Sequence, residues 1–340
     1  MFVTGFRFQK PRVTLGILPT LLFLPLLTSE AVDFKPPTAQ ERLAAVGPTE
    51  GLDETLRKAL QVDDFKPVPV PKPGDWLAAH RETGQTFEQF VRSKPNRPHK
   101  QRNIIYLQPL GEFPQLNIPL LETLKHYASA YFGMPVKERP PLPIHGRAVT
   151  TRTNQFTGNR QVLTGDVLSI LRKNLPRDAF CLMAITMEDL YPDPSWNFVF
   201  GQASLRDRVG VYSFARYDPA FYGQKRDQDY EKILLWRSCK VLVHEIGHMF
   251  GLMHCIYFKC AMNGSNHLGE SDARPMHLCP VCLHKLHHSI GFDVVGRYCK
   301  LYHFYGKTGF EKEAKWTAQR VERLAGPAAA KAIIEQQKEK

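Results

Sequence analysis

Between residues 102 and 250 the apolar positions switch repeatedly between short continuous runs and a period near 3.6. Residues 103–107 (Asn-Ile-Ile-Tyr-Leu) are β-branched and aromatic, which predicts a strand. Residues 119–132 carry apolar side chains at helical spacing and end at Gly133, a suitable C-cap, and residues 162–171 read as a second helix. Residues 179–186 are almost uninterruptedly apolar, as in a strand buried on both faces. Strands over 197–202 and 210–214 follow, then a long helix over about 229–250. Strands alternating with helices predict an α/β fold in which a mixed, twisted sheet is layered on helices.

The flanks have other patterns. Residues 31–75 are proline-rich, ending in Lys66-Pro67-Val68-Pro69-Val70-Pro71-Lys72-Pro73-Gly74, and predict an extended linker or wrapping segment. Short helices are expected near 52–61 and 86–92. Residues 311–340 are rich in Ala, Glu and Lys and read as helix interrupted at Gly326-Pro327. The chain divides accordingly into a leader (1–31), an N-terminal proline-rich segment (32–101), a compact domain (102–305) and a basic helical tail (306–340).

Arg7, Lys10 and Arg12 precede an apolar run over 13–27, and Ser29 and Ala31 follow it, the layout of a secretory signal peptide. Fifteen residues with Pro19 and Pro25 among them are too short and too broken to span a bilayer, so stable membrane insertion is not expected. Export is favoured over the cytoplasm, although the cysteine content pulls the other way. The formal net charge of +12 is spread along the chain, with no interleaved basic and aromatic stripe, so no nucleic-acid partner is expected. A monomer is the expected state.

The decisive chemistry lies in residues 244–254, His-Glu-Ile-Gly-His-Met-Phe-Gly-Leu-Met-His. Residues four apart on a helix stand one turn above each other, so His244 and His248 can hold one ion. Glu245 projects about 100° around the helix, within reach of a water but not as a ligand. Gly251 can turn the chain sharply, and His254 then returns as the third ligand. Three nitrogens leave a fourth position open, the layout of a catalytic zinc. Met262, in Cys260-Ala261-Met262-Asn263-Gly264, follows at a strong turn signal and would floor the histidines.

Cys255 and Cys260 are separated by four residues; after an eighteen-residue gap come Cys279 and Cys282 with two between. Two cysteine pairs across such a gap fit a tetrahedral thiolate zinc, and four thiolates make it structural rather than catalytic. Two disulfides or four unconnected thiols are the alternatives. Cys181, Cys239 and Cys299 read as core thiols. With four ligands complete, His267, His277, His284, His287 and His288 are expected at the surface.

These motifs resemble those of the archaemetzincins, a branch of the metzincin zinc peptidases, whose pattern is H-E-x-x-H-x-x-G-x3-C-x4-C-x-M followed some seventeen residues later by C-x-x-C. Sixteen residues separate Met262 from Cys279 here. Asp75-Trp76, residues 87–90, 189–192, 195–203, 213–217, 237–240 and 279–286 are also similar to vertebrate type-2 members of the family, so the resemblance covers roughly 54–305. The leader, the short segment between Tyr217 and the long helix, and the C-terminal tail depart from it. The resemblance implies a zincin-like fold with a long active-site helix, a Met-turn at Met262 and a zinc-stabilised helical C-terminal subdomain. It also implies an edge strand binding an extended peptide, here Phe198, Val199, Phe200, Gly201 and Gln202, and aminopeptidase-like or limited endopeptidase activity.

The expected function is therefore hydrolysis of a peptide or protein substrate with two zinc ions per chain. Glu245 would be the general base. The competing reading is a catalytically weak or inactive zinc-stabilised binding protein, to which Glu245 would be dispensable.

Overall fold

The computed structural model describes residues 2–4, 33–116, 120–144, 149–328 and 330–332, so that the expected leader, apart from Phe2–Thr4, lies outside the described residues. The strands are β1 (Phe2–Thr4), β2 (Ile104–Leu110), β3 (Val136–Glu138), β4 (Thr151–Thr153), β5 (Arg160–Leu163), β6 (Ala179–Thr186), β7 (Asp189–Tyr191), β8 (Gly201–Ala203) and β9 (Val209–Ser213). The helices are α1 (Ala39–Val46), α2 (Glu54–Ala59), α3 (Trp76–Ala79), α4 (Phe87–Arg92), α5 (Leu120–Phe132), α6 (Thr164–Lys173), α7 (Tyr230–Met249), α8 (Leu268–Ala273), α9 (Pro280–Ile290), α10 (Val294–Lys307) and α11 (Glu311–Ala325).

The main sheet runs β1-β8-β9-β6-β2-β3. β6, buried along its whole length, pairs in parallel with β2 and β9, as its unbroken apolar sequence requires. β8 runs antiparallel to β9, which makes the sheet mixed. Side chains alternate across β6: Cys181, Met183 and Ile185 join the core that includes Leu234, Leu242 and Ile246 of α7, while Leu182 and Ala184 face Val167, Leu168 and Leu171 of α6. Thus α7, the helix carrying the His-Glu motif, lies flat against one sheet face. A small second sheet, β4-β5-β7, flanks it. No described helix is long and apolar enough to cross a membrane.

Three expectations need revising. The helix read over 162–171 starts two residues later, because residues 160–163 form β5, paired with β4 and β7. The compact body does not begin at residue 102. Ala45, Leu56, Phe65, Trp76 and Phe90 belong to the main core, and residues 66–68 zip onto the cysteine region through Lys259 N–H to Lys66 O (2.8 Å) and Val68 N–H to Tyr257 O (3.3 Å). The proline-rich stretch is therefore a wrapping segment. Finally, the boundary expected at 305/306 falls inside α10, and α11 packs back on the body, with Trp316 stacked on His277 at 3.7 Å and Arg320 paired with Asp64.

Candidate metal centre

α7 ends at Met249, and Gly251 takes φ +86°, the left-handed turn that sends the chain back toward the helix. His244, His248 and His254 are thereby gathered, each about 1% exposed or less, with their ligating atoms within 4.8 Å of one another. Each Nδ1 faces an acceptor: Ala261 O for His244 (2.8 Å), Leu252 O for His248 (2.7 Å) and a Glu82 carboxylate oxygen for His254 (2.7 Å). A carbonyl or carboxylate can only accept, so in each ring Nδ1 carries the proton and Nε2 presents its lone pair. The Nε2 atoms of His244 and His248 are 3.1 Å apart. Two lone pairs face to face repel unless a cation lies between them. Two nitrogens each about 2.0–2.1 Å from a tetrahedral zinc would be about 3.3 Å apart, so the donor set fits that ion.

Burial pushes His244 and His248 well below the usual histidine range, and the neighbouring imidazoles and Arg274 add to the shift. Neutral imidazoles are the form a metal needs. Met262, fully buried, lies beneath: a Cβ on Gly247 would come within 2.5 Å of its Sδ. The thioether thus packs against α7 at Gly247, which lies between His244 and His248 in sequence. Glu245 is buried against β8, and a Cβ on Gly201 would come within 2.8 Å of its Oε1. Only a glycine at 201 lets strand and carboxylate approach so closely.

Behind the histidines, Cys255, Cys260, Cys279 and Cys282 form a second buried group whose sulfurs lie within 4.8 Å of one another. Cys255 Sγ and Cys279 Sγ are 3.5 Å apart, well beyond the ~2.05 Å of a disulfide and near the ~3.8 Å expected for two thiolates on one tetrahedral zinc. Burial opposes ionisation of Cys255, but hydrogen bonds from the other three thiols outweigh it and hold its pKa well below the thiol range. Cys279 is pushed the other way by burial and by Cys255, and Cys282 by the hydrogen bonds of Cys255 and Cys260. Four converging thiols can all ionise only around a cation, and a coordinated thiol does lose its proton. The two groups share a loop. Cys255 N–H donates to Met262 O (2.9 Å), and Asn263 donates to Cys255 O (2.7 Å) and accepts from Cys260 N–H (2.7 Å).

Residues 144–288, which contain all seven ligand candidates, match the family model described as Peptidase family M54. Archaemetzincin-2 of Homo sapiens is 45% identical over 264 residues, covering 69% of this chain and 73% of its own length; that of Macaca fascicularis is 44% identical over the same shares. This chain belongs to the archaemetzincin family. It is accordingly a zinc metallopeptidase. Archaemetzincin-1 of Homo sapiens is more distant, 34% identical over 67% of this chain and 51% of its own. Among solved structures, archaemetzincin from Methanopyrus kandleri is 30% identical over 57% of this chain and 99% of its own, with a TM-score of 0.44.

Within this archaemetzincin the strand expected over 197–202 is shorter. Val199 makes only an isolated bridge to Leu190, and regular pairing begins at Gly201. Phe200 O accepts from Ser213 N–H (2.9 Å), and the rings are held by side chains: the Arg216 guanidinium sits 3.6 Å above the Phe198 ring, and Phe200 stacks on Tyr217 at 5.6 Å. The outer edge of β8 is paired antiparallel with β1, Thr4 opposite Gly201. His284 is not a surface residue. It is buried, donates from Nδ1 to Val46 O (2.7 Å) and stacks on Phe87 at 3.6 Å, which fastens α1 to α9. His277 is likewise half-buried against Trp316. Sequence reasoning missed Glu82, a single carboxylate in a segment without a motif, 172 residues from its partner.

Proposed function

We propose that His244, His248 and His254 hold a catalytic zinc, that the four cysteines hold a structural one, and that Glu245 is the general base for hydrolysis of peptide bonds. The convergence of the lone-pair-bearing Nε2 atoms, two of them on the helix that also carries the buried Glu245, carries this reading. Zinc, when bound, acidifies water and polarises a carbonyl. Glu245 accepts the proton of the attacking water and returns it to the leaving amine. Met262, as the Met-turn residue, keeps the imidazoles from shifting. Ala261 O and Leu252 O fix the ring planes of His244 and His248, so that neither ligand must reorient. A zincin-like arrangement, with α7 beneath the sheet and β8 at its edge, would align an extended peptide along Gly201 and Gln202 by main-chain hydrogen bonds. An edge-strand mode accommodates terminal and internal cleavage alike.

Metal-replete chain is expected to carry two zinc ions by elemental analysis. The double variant His244→Ala, His248→Ala should carry one and keep its fold. A native stoichiometry of one under reducing conditions would remove the four-cysteine site from this reading.

The same edge bears on regulation. In the structure Phe2–Thr4 occupies the side of β8 that a substrate would use. An edge strand satisfies its spare N–H and C=O groups with whatever strand is nearest. Peptide docking in this mode requires that segment to leave, as it would on leader cleavage near residues 30–32. A chain starting at residue 32 is expected to hydrolyse peptides several-fold faster than the full chain, mainly through a lower KM. Equal KM values for the two chains would argue against β8 as the substrate edge.

A further inference from the structure

His244 and His248 donate their Nδ1 protons to backbone carbonyls, whereas His254 donates to a carboxylate. That carboxylate, Glu82, comes from the N-terminal wrapping segment, far outside the matched residues 144–288. Its side chain is 11% exposed and faces a His254 side chain that is 1% exposed. The same Glu82 oxygen accepts a second hydrogen bond from Trp76 Nε1 (2.9 Å). Trp76 in turn sets its ring edge-to-face against His254 at 4.9 Å and 81°, and His80 stacks on its other side at 3.8 Å. The assembly is tied down beyond the site: His80 Nε2 lies 3.3 Å from Asn266 Oδ1, and Trp76 N–H donates to Glu270 Oε1 (2.9 Å), whose other oxygen accepts from Asn266 N–H (2.7 Å).

We infer that Glu82 is a positioning residue for the third metal ligand, and that the segment from Trp76 to Glu82 completes the catalytic zinc site. The inference rests on the zinc reading of the three histidines. His254 needs such a partner more than the other two. His244 and His248 are held on a helix, but His254 follows the Gly251 turn, where the backbone alone does not fix the ring. A carboxylate on Nδ1–H fixes both tautomer and ring plane. Its negative charge also strengthens the electron donation from Nε2 in a way a backbone carbonyl does not. Trp76 prevents Glu82 from swinging away, because its indole N–H and its ring edge grip the carboxylate and the imidazole together.

The test is metal affinity of the full-length chain, read by competition with graded chelator while zinc at each site is counted. Glu82→Gln keeps the volume and an acceptor oxygen but removes the charge. It is expected to weaken zinc at the histidines by about 10–100-fold, the usual cost of losing such a partner. The four-cysteine zinc should be unaffected, as should melting of the zinc-free chain. The ligand-field band of cobalt loaded at the histidines should also shift. Glu82→Asp, which keeps the charge, is expected to recover part of the affinity relative to Glu82→Gln. It also serves as the variant to measure should Glu82→Gln fail to fold, with an affinity still several-fold below wild type. Affinity and cobalt band indistinguishable from wild type would overturn the positioning role. So would an equal loss at both sites with lower melting of the zinc-free chain, which would make Glu82 a packing residue. Wild-type chain that takes up no ion at the histidines would sink the zinc reading itself. Wild-type uptake with an unchanged Glu82→Gln sinks only the role of Glu82.

Discussion

Glu245→Ala is expected to lower peptide hydrolysis by at least about 100-fold, the lower end of what general acid–base catalysis contributes. Its metal content should stay at the wild-type value, because Glu245 is not among the grouped ligand atoms. The side chain follows His244 directly on α7 and points about 100° away from it. Its carboxylate is pressed against Gly201 rather than into the space between the imidazoles. That position suits a group that moves a proton between water and a leaving amine while the histidines hold the ion. Alanine also leaves a void in a fully buried site, so Glu245→Gln, close to the native volume, should accompany it. The glutamine variant cannot accept a proton and should lose activity to the same extent, with melting unchanged. Undiminished turnover in Glu245→Gln would exclude Glu245 as the base. Loss of the ion in that variant would make it a ligand instead.

How far the sequence anticipated the molecule depended on how local each interaction is. All seven proposed ligands lie in two short stretches, 244–260 and 279–282, and His254 sits between a glycine turn and a cysteine, so spacing alone could relate them. β6 is legible because seven apolar residues in a row have few other uses, and α7 because apolar periodicity ends at a glycine. Glu82, by contrast, is joined to His254 by tertiary packing, and nothing in its neighbourhood distinguishes it from any surface glutamate. The aromatic alternation Trp196, Phe198, Phe200 imitates a strand, yet these rings answer to Arg216, Tyr217 and His80 rather than to a ladder. β5 is hidden for the opposite reason. Its four residues run directly into α6, so the helical period reads from residue 162. The burial of His284 is not legible locally, because a complete ligand set says nothing about packing; a stack on Phe87 and a backbone acceptor, both distant in sequence, bury it.

The loop between the two ligand groups makes the second large effect global. Cys279→Ser is expected to lose the structural zinc and to lower the melting temperature by at least about 8 °C. Loss of a metal belongs to the short list of changes that exceed about 4 kcal/mol, and each kcal/mol moves the midpoint of a large domain by about 2–4 °C. Cys279 is fully buried at the start of α9, whose Pro280 and Gly291 fix its two ends, and its N–H donates to Cys260 Sγ (3.3 Å). A serine hydroxyl is a poor zinc ligand, and it would leave three thiols converging with nothing to neutralise them. The damage should reach the histidines. Cys255 adjoins His254, and Ala261, next to Cys260, supplies the carbonyl that orients His244. The variant should therefore also bind the catalytic ion more weakly and lose most of its activity, even though no catalytic side chain has changed. Cys299→Ser is the control: Cys299 is half-buried on α10 outside the cluster, and its replacement should leave zinc content at two and lower melting by much less than Cys279→Ser does. A Cys279→Ser chain that melts like Cys299→Ser would mean that the four thiols hold no structural ion.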